Sequence, residues 1–207
     1  NKIAYIIPSG KPPKSRIIIV REAIIKPNNV NIELAVDALK AGELVAFPTE
    51  TVYGLGADGL NETAVAKIFE AKKRPNFNPL ILHVSSLSML NSITSYSSEK
   101  IKLLTEKFWP GPLTLILKKK EIVPYLVTSG LETVAVRMPN NEIALELINK
   151  LGRPIAAPSA NSFSKLSPTK AEHVEKQLGD KVNIILDGGN CHVGLESTII
   201  EVTEDSQ

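Results

Sequence analysis

The sequence predicts an α/β (α+β) protein with a twisted sheet of parallel and antiparallel strands flanked by helices. Apolar residues recur at helical spacing in several stretches, and a short strand-like run follows each of them. The spacing around Gly188-Gly189 is typical of a hairpin, which predicts that some neighbouring strands run antiparallel. The 207 residues are enough to bury a sizeable core, so we expect one domain over residues 16–207.

Residues 1–15 are expected to form a flexible or extended lead. Pro8, Pro12 and Pro13 remove backbone donors from this stretch, and residues 8–15 offer little apolar surface to bury. The globular part is therefore expected to begin near Arg16.

The first helix and strand are predicted from periodicity over residues 32–47. Gly42 follows the helical stripe as a stop signal, and the strand-like run 44–47 comes next. Asn61 is expected to cap a second helix, which leads into a strand over 80–84. The apolar helix positions are Ile32, Ala35, Val36 and Leu39, followed by Val65, Ile68 and Phe69.

The same alternation continues to the end of the chain. Ser97 or Ser98 is expected to begin a helix carrying Ile101, Leu104 and Phe108, and strands are predicted over 113–117 and 133–137. A helical stripe at 144–151 ends at Gly152 and leads into 155–157. Thr169 and Glu172 match a capping box for a helix through residue 178, and strands are predicted at 183–187 and 198–202.

Composition excludes several functional classes. With 24 Lys plus Arg against 22 Asp plus Glu, the net charge of +2 gives no general attraction to nucleic acid or membranes. No apolar run approaches the roughly 20 residues of a membrane span. The single cysteine, Cys191, fits a reducing compartment and is expected to be a passive thiol, so we expect a soluble, cytoplasmic protein.

Three cations lie between the second helix and the strand at 80–84. Lys72, Lys73 and Arg74 stand just before Pro75, where the chain is expected to leave the helix. A lysine and an arginine together suit a polyphosphate, because one is a point charge and the other a planar fork. Alone, the cluster is more typical of a solvated helix end, whose cations complement the helix dipole.

The segment from Thr49 to Gly56 is the second polar feature. Gly54 and Gly56 are expected to let the backbone turn tightly, so that the hydroxyls of Thr49 and Thr51 face a cavity. A strand-terminal turn with satisfied hydroxyls is an equally good interpretation of this motif alone. The third glycine of a dinucleotide fingerprint is missing at its spacing, so no such cofactor is predicted.

Arg137 and His83 each lie within or at the end of an apolar strand. Arg137 closes the run 133–136 and would suit a carboxylate, although a surface arginine is an equal alternative. His83, taken alone, favours a structural role. The histidines and the cysteine do not have metal-ligand spacing, so no metal site is predicted.

A third polar cluster follows the strand at 155–157. Ser159 and Asn161 come after two alanines, which permit close approach of a flat ring or a phosphate. Ser167 and Ser197 add exposed hydroxyls further on, and Ser197 is the stronger candidate for substrate contact. As isolated serines, they are also typical turn residues.

Nine motifs in order along residues 30–202 resemble the YrdC-type threonylcarbamoyl-AMP synthase family. They are Pro48 to Gly56, Ala71-Lys72-Lys73-Arg74-Pro75, Asn78-Pro79-Leu80, His83, Trp109 to Leu115, Thr133 to Pro139, Pro158 to Asn161, Ser167-Pro168-Thr169 and Glu196-Ser197-Thr198. Nine motifs in order are far more specific than any one of them.

The resemblance implies a YrdC-like fold and a nucleotidyltransferase that joins L-threonine, bicarbonate and ATP into threonylcarbamoyl-AMP, releasing pyrophosphate. Mg²⁺ would arrive with ATP, no organic cofactor is expected, and the product would pass to downstream tRNA-modifying machinery. The residues implied to hold L-threonine are Thr51, His83, Arg137, the backbone at Ala157, and Ser197. Those implied to hold ATP are Lys72, Arg74, Asn78, Thr133, Ser159, Asn161 and Ser167, with Lys72 and Arg74 also catalytic.

Two other functions are consistent with parts of the sequence. One is a non-catalytic RNA-binding module, or weak RNA or tRNA binding by the enzyme, in which Lys72, Lys73 and Arg74 contact phosphates. The other is a carbamoyl-adenylate domain that serves a different acceptor. Ligand-specific stabilisation by threonine with ATP, against steep salt dependence of RNA binding, would separate the synthase from the RNA-binding module.

Overall fold

The computed structural model describes residues 3–7, 16–20, 23–75, 77–96 and 98–202. Strands β1 (Ile3–Ile7) and β2 (Arg16–Val20) pair antiparallel as a separate two-stranded sheet. Residues 8–15 of the predicted lead, Ser97 and the tail 203–207 lie outside the described residues. The predicted domain boundary near residue 16 stays a prediction.

Helices and strands alternate along the rest of the described chain, as the sequence predicts. The elements are β3 (Ile24–Ile25), α1 (Asn29–Lys40), β4 (Val45–Phe47), β5 (Gly54–Asp58), α2 (Glu62–Lys72), β6 (Ile81–His83), α3 (Leu87–Ile93), β7 (Thr94–Ser95), α4 (Glu99–Phe108), β8 (Leu113–Lys119), α5 (Tyr125–Thr128), β9 (Thr133–Arg137), α6 (Glu142–Leu151), β10 (Ile155–Ala156), α7 (Ala171–Leu178), β11 (Ile184–Leu186) and β12 (Thr198–Glu201).

The main sheet mixes parallel and antiparallel pairs, which confirms the predicted fold class. Its order is β12-β8-β9-β6-β10-β5-β4-β11-β3, with β7 also paired to β8. The ladders β6–β9, β8–β12, β4–β11 and β3–β11 are parallel, and the remaining ones are antiparallel. The predicted hairpin at Gly188-Gly189 is wrong, because β11 and β12 join opposite parts of the sheet.

Helix ends follow local chemistry in most places. The side chains of Asn28, Asn61 and Asn141 accept hydrogen bonds at the starts of α1, α2 and α6, and Gly152 ends α6 with a positive φ of 70°. The predicted capping box at Thr169 is wrong. The helix α7 begins after Lys170, whose extended backbone occupies the cap position without a side-chain hydrogen bond.

The core lies on both faces of the sheet. On β4, Val45 and Phe47 pack in the cluster formed with α1 and α6, whereas Ala46 belongs to the larger cluster on the other face. This alternation is the period-two pattern of a strand buried on both sides. Among the described residues, no helix combines the length and apolar character needed to cross a membrane.

Candidate active site

The centre of the candidate site is a buried arginine at the end of β9. Arg137 is 3% exposed, and its Nη2 donates a 3.0 Å hydrogen bond to Thr51 Oγ1. Its Nε donates to the carbonyl of Gly111 at 3.3 Å. The surface alternative for Arg137 is therefore wrong, because its guanidinium is buried against Thr51 and Gly111.

Glu50 faces this arginine and was missed by the sequence reasoning. Its Oε1 lies 2.7 Å from Arg137 Nη2, and the two side chains are 9% and 4% exposed. Among the described residues, no donor makes a directed hydrogen bond to either Glu50 oxygen. The contact is thus a desolvated ion pair whose carboxylate keeps its hydrogen-bonding capacity. The position of Glu50 between Thr49 and Thr51 was the sequence signal that could have identified it as a site residue.

His83 ends β6 beside Arg137, because the parallel ladder pairs these two residues. Burial, with a smaller contribution from the Arg137 charge, lowers the pKa of His83 to about 3. The ring is therefore neutral at physiological pH. It also lies edge-on to the ring of Phe47, with centroids 6.2 Å apart. The two rings meet although β5 and β10 lie between β4 and β6 in the sheet.

Ser197 reaches the same region through Thr114. Thr114 pairs with Arg137 across the β8–β9 ladder, is fully buried, and its hydroxyl lies 2.7 Å from that of Ser197. Thr114 lies in the predicted strand 113–117, for which no functional residue was predicted. A polar residue inside the run 113–117 was the signal that it contacts another polar group.

The loop after β4 is a hydrogen-bonded turn that also contributes to the site. Thr49 Oγ1 donates to the carbonyl of Val52 at 2.6 Å and lies 2.9 Å from Thr51 Oγ1. The hydroxyl of Thr49 is thus used within the turn, as the interpretation of a strand-terminal turn with satisfied hydroxyls predicts. The hydroxyl of Thr51 instead accepts from Arg137.

The glycines of this segment have a different role from the predicted tight turn. Gly54 and Gly56 are residues of the extended strand β5. A Cβ added at Gly56 would lie 2.8 Å from the ring of Phe47 and 2.9 Å from Ile155. Close packing, and not a left-handed turn, explains the requirement for glycine here.

Lys72 ends α2 and points into the segment after β10. It is 2% exposed, and its Nζ donates to the backbone carbonyls of Ser159 and Asn161 and, at 3.2 Å, to Asn161 Oδ1. Burial, with the added effect of the Arg74 charge, lowers the pKa of Lys72 to about 7. The three oxygen acceptors favour its charged form. Lys72 therefore holds the 159–161 segment in place.

Arg74 and Asn78 are brought together in the turn that follows. The half-buried guanidinium of Arg74 donates to the carbonyls of Asn78 at 3.2 Å and Pro79 at 3.1 Å. Burial lowers the pKa of Arg74. Lys73 is exposed and has a left-handed backbone, with φ of 52°. Because Lys72 is buried, the three cations do not form the exposed patch that the RNA-binding alternative needs.

Backbone hydrogen bonds join the two halves of the site. The N–H of Ala160 donates to the carbonyl of Tyr53 at 2.7 Å, and Gly54 and Ser159 form a bridge. Residues 159–161, which Lys72 holds, are therefore anchored to Tyr53 and Gly54, shortly after Thr51 in the chain.

Ser167 lies between the loop after β4 and Ser197. Its hydroxyl donates to Glu196 Oε1 at 2.6 Å, and the next carbonyl, that of Pro168, accepts from the N–H of Tyr53 at 2.8 Å. An open cleft of about 930 Å³ lies here, lined by Ser167 and Glu196 among others.

Ala157 and Thr133, two further predicted site residues, differ in their surroundings from the residues described above. The N–H of Ala157 donates to the carbonyl of Ile81, so that part of its backbone is engaged within the fold. Thr133 begins β9, about 13 Å along the strand from Arg137 at roughly 3.3 Å per residue. It lines a separate recess with Tyr96 and Lys118, and none of the other predicted residues lines that recess.

Cys191 lies near the loop after β4, and its thiol is not activated as a nucleophile. Burial raises the pKa of its thiol to about 11, and the charge of Glu50 adds to this effect. The thiolate population at neutral pH is therefore small, which agrees with the predicted passive thiol.

Comparison with known proteins places these features in one family. Residues 37–207 match the Sua5/YciO/YrdC family, described as telomere recombination. Proteins named threonylcarbamoyl-AMP synthase from Pyrococcus abyssi and Bacillus subtilis are 53% and 51% identical, over 91% and 87% of this chain. The chain spans about half the length of these curated relatives, 54% and 53%.

A solved structure has the same fold. The crystal structure of P. abyssi Sua5 complexed with L-threonine superposes with a TM-score of 0.85 and 50% identity. The match covers 91% of this chain and 55% of that one. The sequence match and the shared fold agree, and the chain belongs to the Sua5/YciO/YrdC family.

Proposed function

We propose that this protein forms threonylcarbamoyl-AMP and pyrophosphate from L-threonine, bicarbonate and ATP, for threonylcarbamoylation of tRNA adenosine by downstream enzymes. The observation that carries the proposal is the buried arginine flanked by hydroxyls. Arg137 would pair with the threonine carboxylate, and Thr51, His83, Ser197 and the backbone at Ala157 would surround the rest of the amino acid. The names of the relatives and the L-threonine complex of P. abyssi Sua5 support it.

The ATP would lie against the second half of the site. Arg74 and Lys72 are partly or fully desolvated cations, and a polyphosphate would benefit from their charge more there than in water. The other proposed ATP contacts are Asn78, Thr133, Ser159, Asn161 and Ser167. We propose that Lys72 keeps the segment containing Ser159 and Asn161 in shape and also adds its charge to the site.

The reaction needs no protein nucleophile. The threonine amine would attack the bicarbonate carbon to form a carbamate with loss of water, and a carbamate oxygen would then attack the α-phosphorus. The bond from that phosphorus to the bridging oxygen would break, and pyrophosphate would leave with both bonding electrons. We expect Mg²⁺ to arrive on the ATP phosphates, and the protein would contribute by holding two anions together and offsetting the developing charge.

A direct assay tests the proposal. The protein is incubated with ATP, magnesium and ¹³C-labelled bicarbonate, with and without L-threonine, and the products are analysed by mass spectrometry and a pyrophosphate assay. We expect a labelled threonylcarbamoyl-AMP that depends on threonine, with one pyrophosphate for each adduct. Pyrophosphate release at the same rate without threonine, or an adduct without label, would contradict the proposal.

A further inference from the structure

The Glu50 carboxylate is a buried acidic group for which the proposed reaction has no use so far. It is nine-tenths buried and lies 2.7 Å from Arg137 Nη2. Within the described ranges, neither of its oxygens receives a directed hydrogen bond. A buried carboxylate normally has several donors, so this arrangement calls for a reason.

The charges at this end of β6 and β9 add to zero. Arg137 carries one positive charge and Glu50 one negative charge, and His83 is neutral because its pKa is about 3. The polar neighbours Thr51, Thr114 and Ser197 carry no charge. In a desolvated place, a ligand that keeps the sum at zero is favoured over one that adds a net charge.

A simple carboxylic acid and an α-amino acid differ in this respect. A carboxylate that pairs with Arg137 brings a second negative charge next to Glu50, which repels it. The zwitterion of an α-amino acid brings an ammonium group as well, which Glu50 attracts, and the sum stays at zero.

We propose that Glu50 is the specificity-determining residue that makes the Arg137 pocket accept a zwitterionic α-amino acid and reject the same carboxylic acid without its amino group. This inference rests on the proposed function, because it takes the threonine carboxylate as the partner of Arg137. It assigns to Glu50 a role beyond holding the arginine, namely discrimination by charge.

Calorimetric titration with two ligands tests this. L-Threonine is compared with 3-hydroxybutyrate, which has the same carbon skeleton and hydroxyl but no amino group. The wild type should prefer threonine strongly. In E50Q the preference should fall about 100- to 1,000-fold, the size expected for one charge acting over about 4–6 Å at an effective dielectric near 20. Threonine should bind more weakly and 3-hydroxybutyrate more tightly.

Two further variants serve as controls. E50D keeps the charge and should keep most of the preference. D58N removes the charge of another buried acid, Asp58, which is 1% exposed and lies 2.7 Å from Nη1 of the half-exposed Arg153. It should leave both affinities unchanged. Thermal melting of each variant confirms that it is folded.

The outcomes separate the two proposals. If E50Q weakens both ligands by the same factor, Glu50 only supports Arg137 and the inference is overturned, while the proposed function stands. If E50Q does not fold, the wild type decides. A preference of the wild type for threonine over 3-hydroxybutyrate of at least about tenfold supports the inference. Equal affinity of the wild type for the two ligands overturns it. A wild type that binds neither ligand contradicts both the inference and the proposed function.

Discussion

Removal of the Arg137 guanidinium should destabilise the fold as well as the site. In R137M the Glu50 carboxylate would stay buried without its partner, and breaking a buried ion pair in this way costs about 3–5 kcal/mol. The lost hydrogen bonds to Thr51 at 3.0 Å and Gly111 at 3.3 Å account for roughly 1 kcal/mol each within that range. For a chain of 207 residues this corresponds to a fall in Tm of roughly 6–20 °C.

A double-mutant cycle isolates the ion pair. E50Q alone leaves the Arg137 charge buried, whereas E50Q/R137M leaves neither charge. The double variant should therefore be more stable than the sum of the two single changes predicts, by about 1–3 kcal/mol. The hydrogen bonds of Arg137 are lost in R137M and in the double variant alike, so they cancel in the coupling.

Urea unfolding followed by circular dichroism gives the four free energies. A shift in midpoint at constant m-value reports a change in stability, and a changed m-value would report a change in compactness. A destabilisation of R137M below about 1 kcal/mol would place it in the range of exposed ion pairs. That result, or strict additivity in the cycle, would refute the description of Glu50 and Arg137 as a desolvated pair.

Three other predictions concern the second half of the site and the sheet. The pKa of Lys72 is about 7 in the folded protein and 10.5 ordinarily, so between these values the folded protein binds fewer protons than the unfolded chain. The free energy of unfolding of the wild type should therefore rise from pH 7 to pH 10 relative to that of K72M. The expected rise is up to about 1.4 kcal/mol per pH unit. An equal difference in urea unfolding at both pH values would contradict this. K72A/R74A should lose adenylate formation by at least about 100-fold because charge stabilisation is lost, and near wild-type turnover in the mass-spectrometric assay would be inconsistent with the proposed roles. Gly56→Ala should cost about 1–3 kcal/mol of unfolding free energy because its Cβ would lie 2.8 Å from the Phe47 ring, and unchanged thermal melting would show that the ring has room to move.

Local features of the fold were predictable because they depend on neighbouring residues. The predicted stripe of α6 is buried at Ala144, Leu147, Ile148 and Leu151. The end of α6 at Gly152 and the cap of α2 at Asn61 are where the sequence indicates. The hairpin expectation at Gly188-Gly189 was wrong for a physical reason. Turn chemistry allows a hairpin there, but strand order is decided by packing between distant elements.

The candidate site was predictable as a set of residues but not as a set of contacts. Thr51 and Arg137 are 86 residues apart in sequence, and their hydrogen bond depends on how the loop after β4 packs against the end of β9. Phe47 and His83 likewise meet although two strands lie between β4 and β6. Glu50 was missed because an acidic residue beside a turn is usually solvated, and only the tertiary structure buries it. Lys72 was assigned to the ligand, although it first satisfies the carbonyls of the 159–161 segment.

The two halves of the site differ in charge as the two proposed substrates do. Around Arg137, the Glu50 carboxylate cancels the arginine, which suits a zwitterion such as threonine. Around Lys72 and Arg74 the described hydrogen bonds are to neutral carbonyl and amide oxygens. The Glu196 charge acts on Lys72 and raises its pKa, but it offsets only one of the two cations, so positive charge is left for a polyanion such as ATP. If Glu50 faced Lys72 as well, this difference would disappear. The backbone bonds from Tyr53 and Gly54 to residues 159–160 fix the two halves side by side, so a carbamate formed in the neutral half would have a short path to an α-phosphorus held in the cationic half.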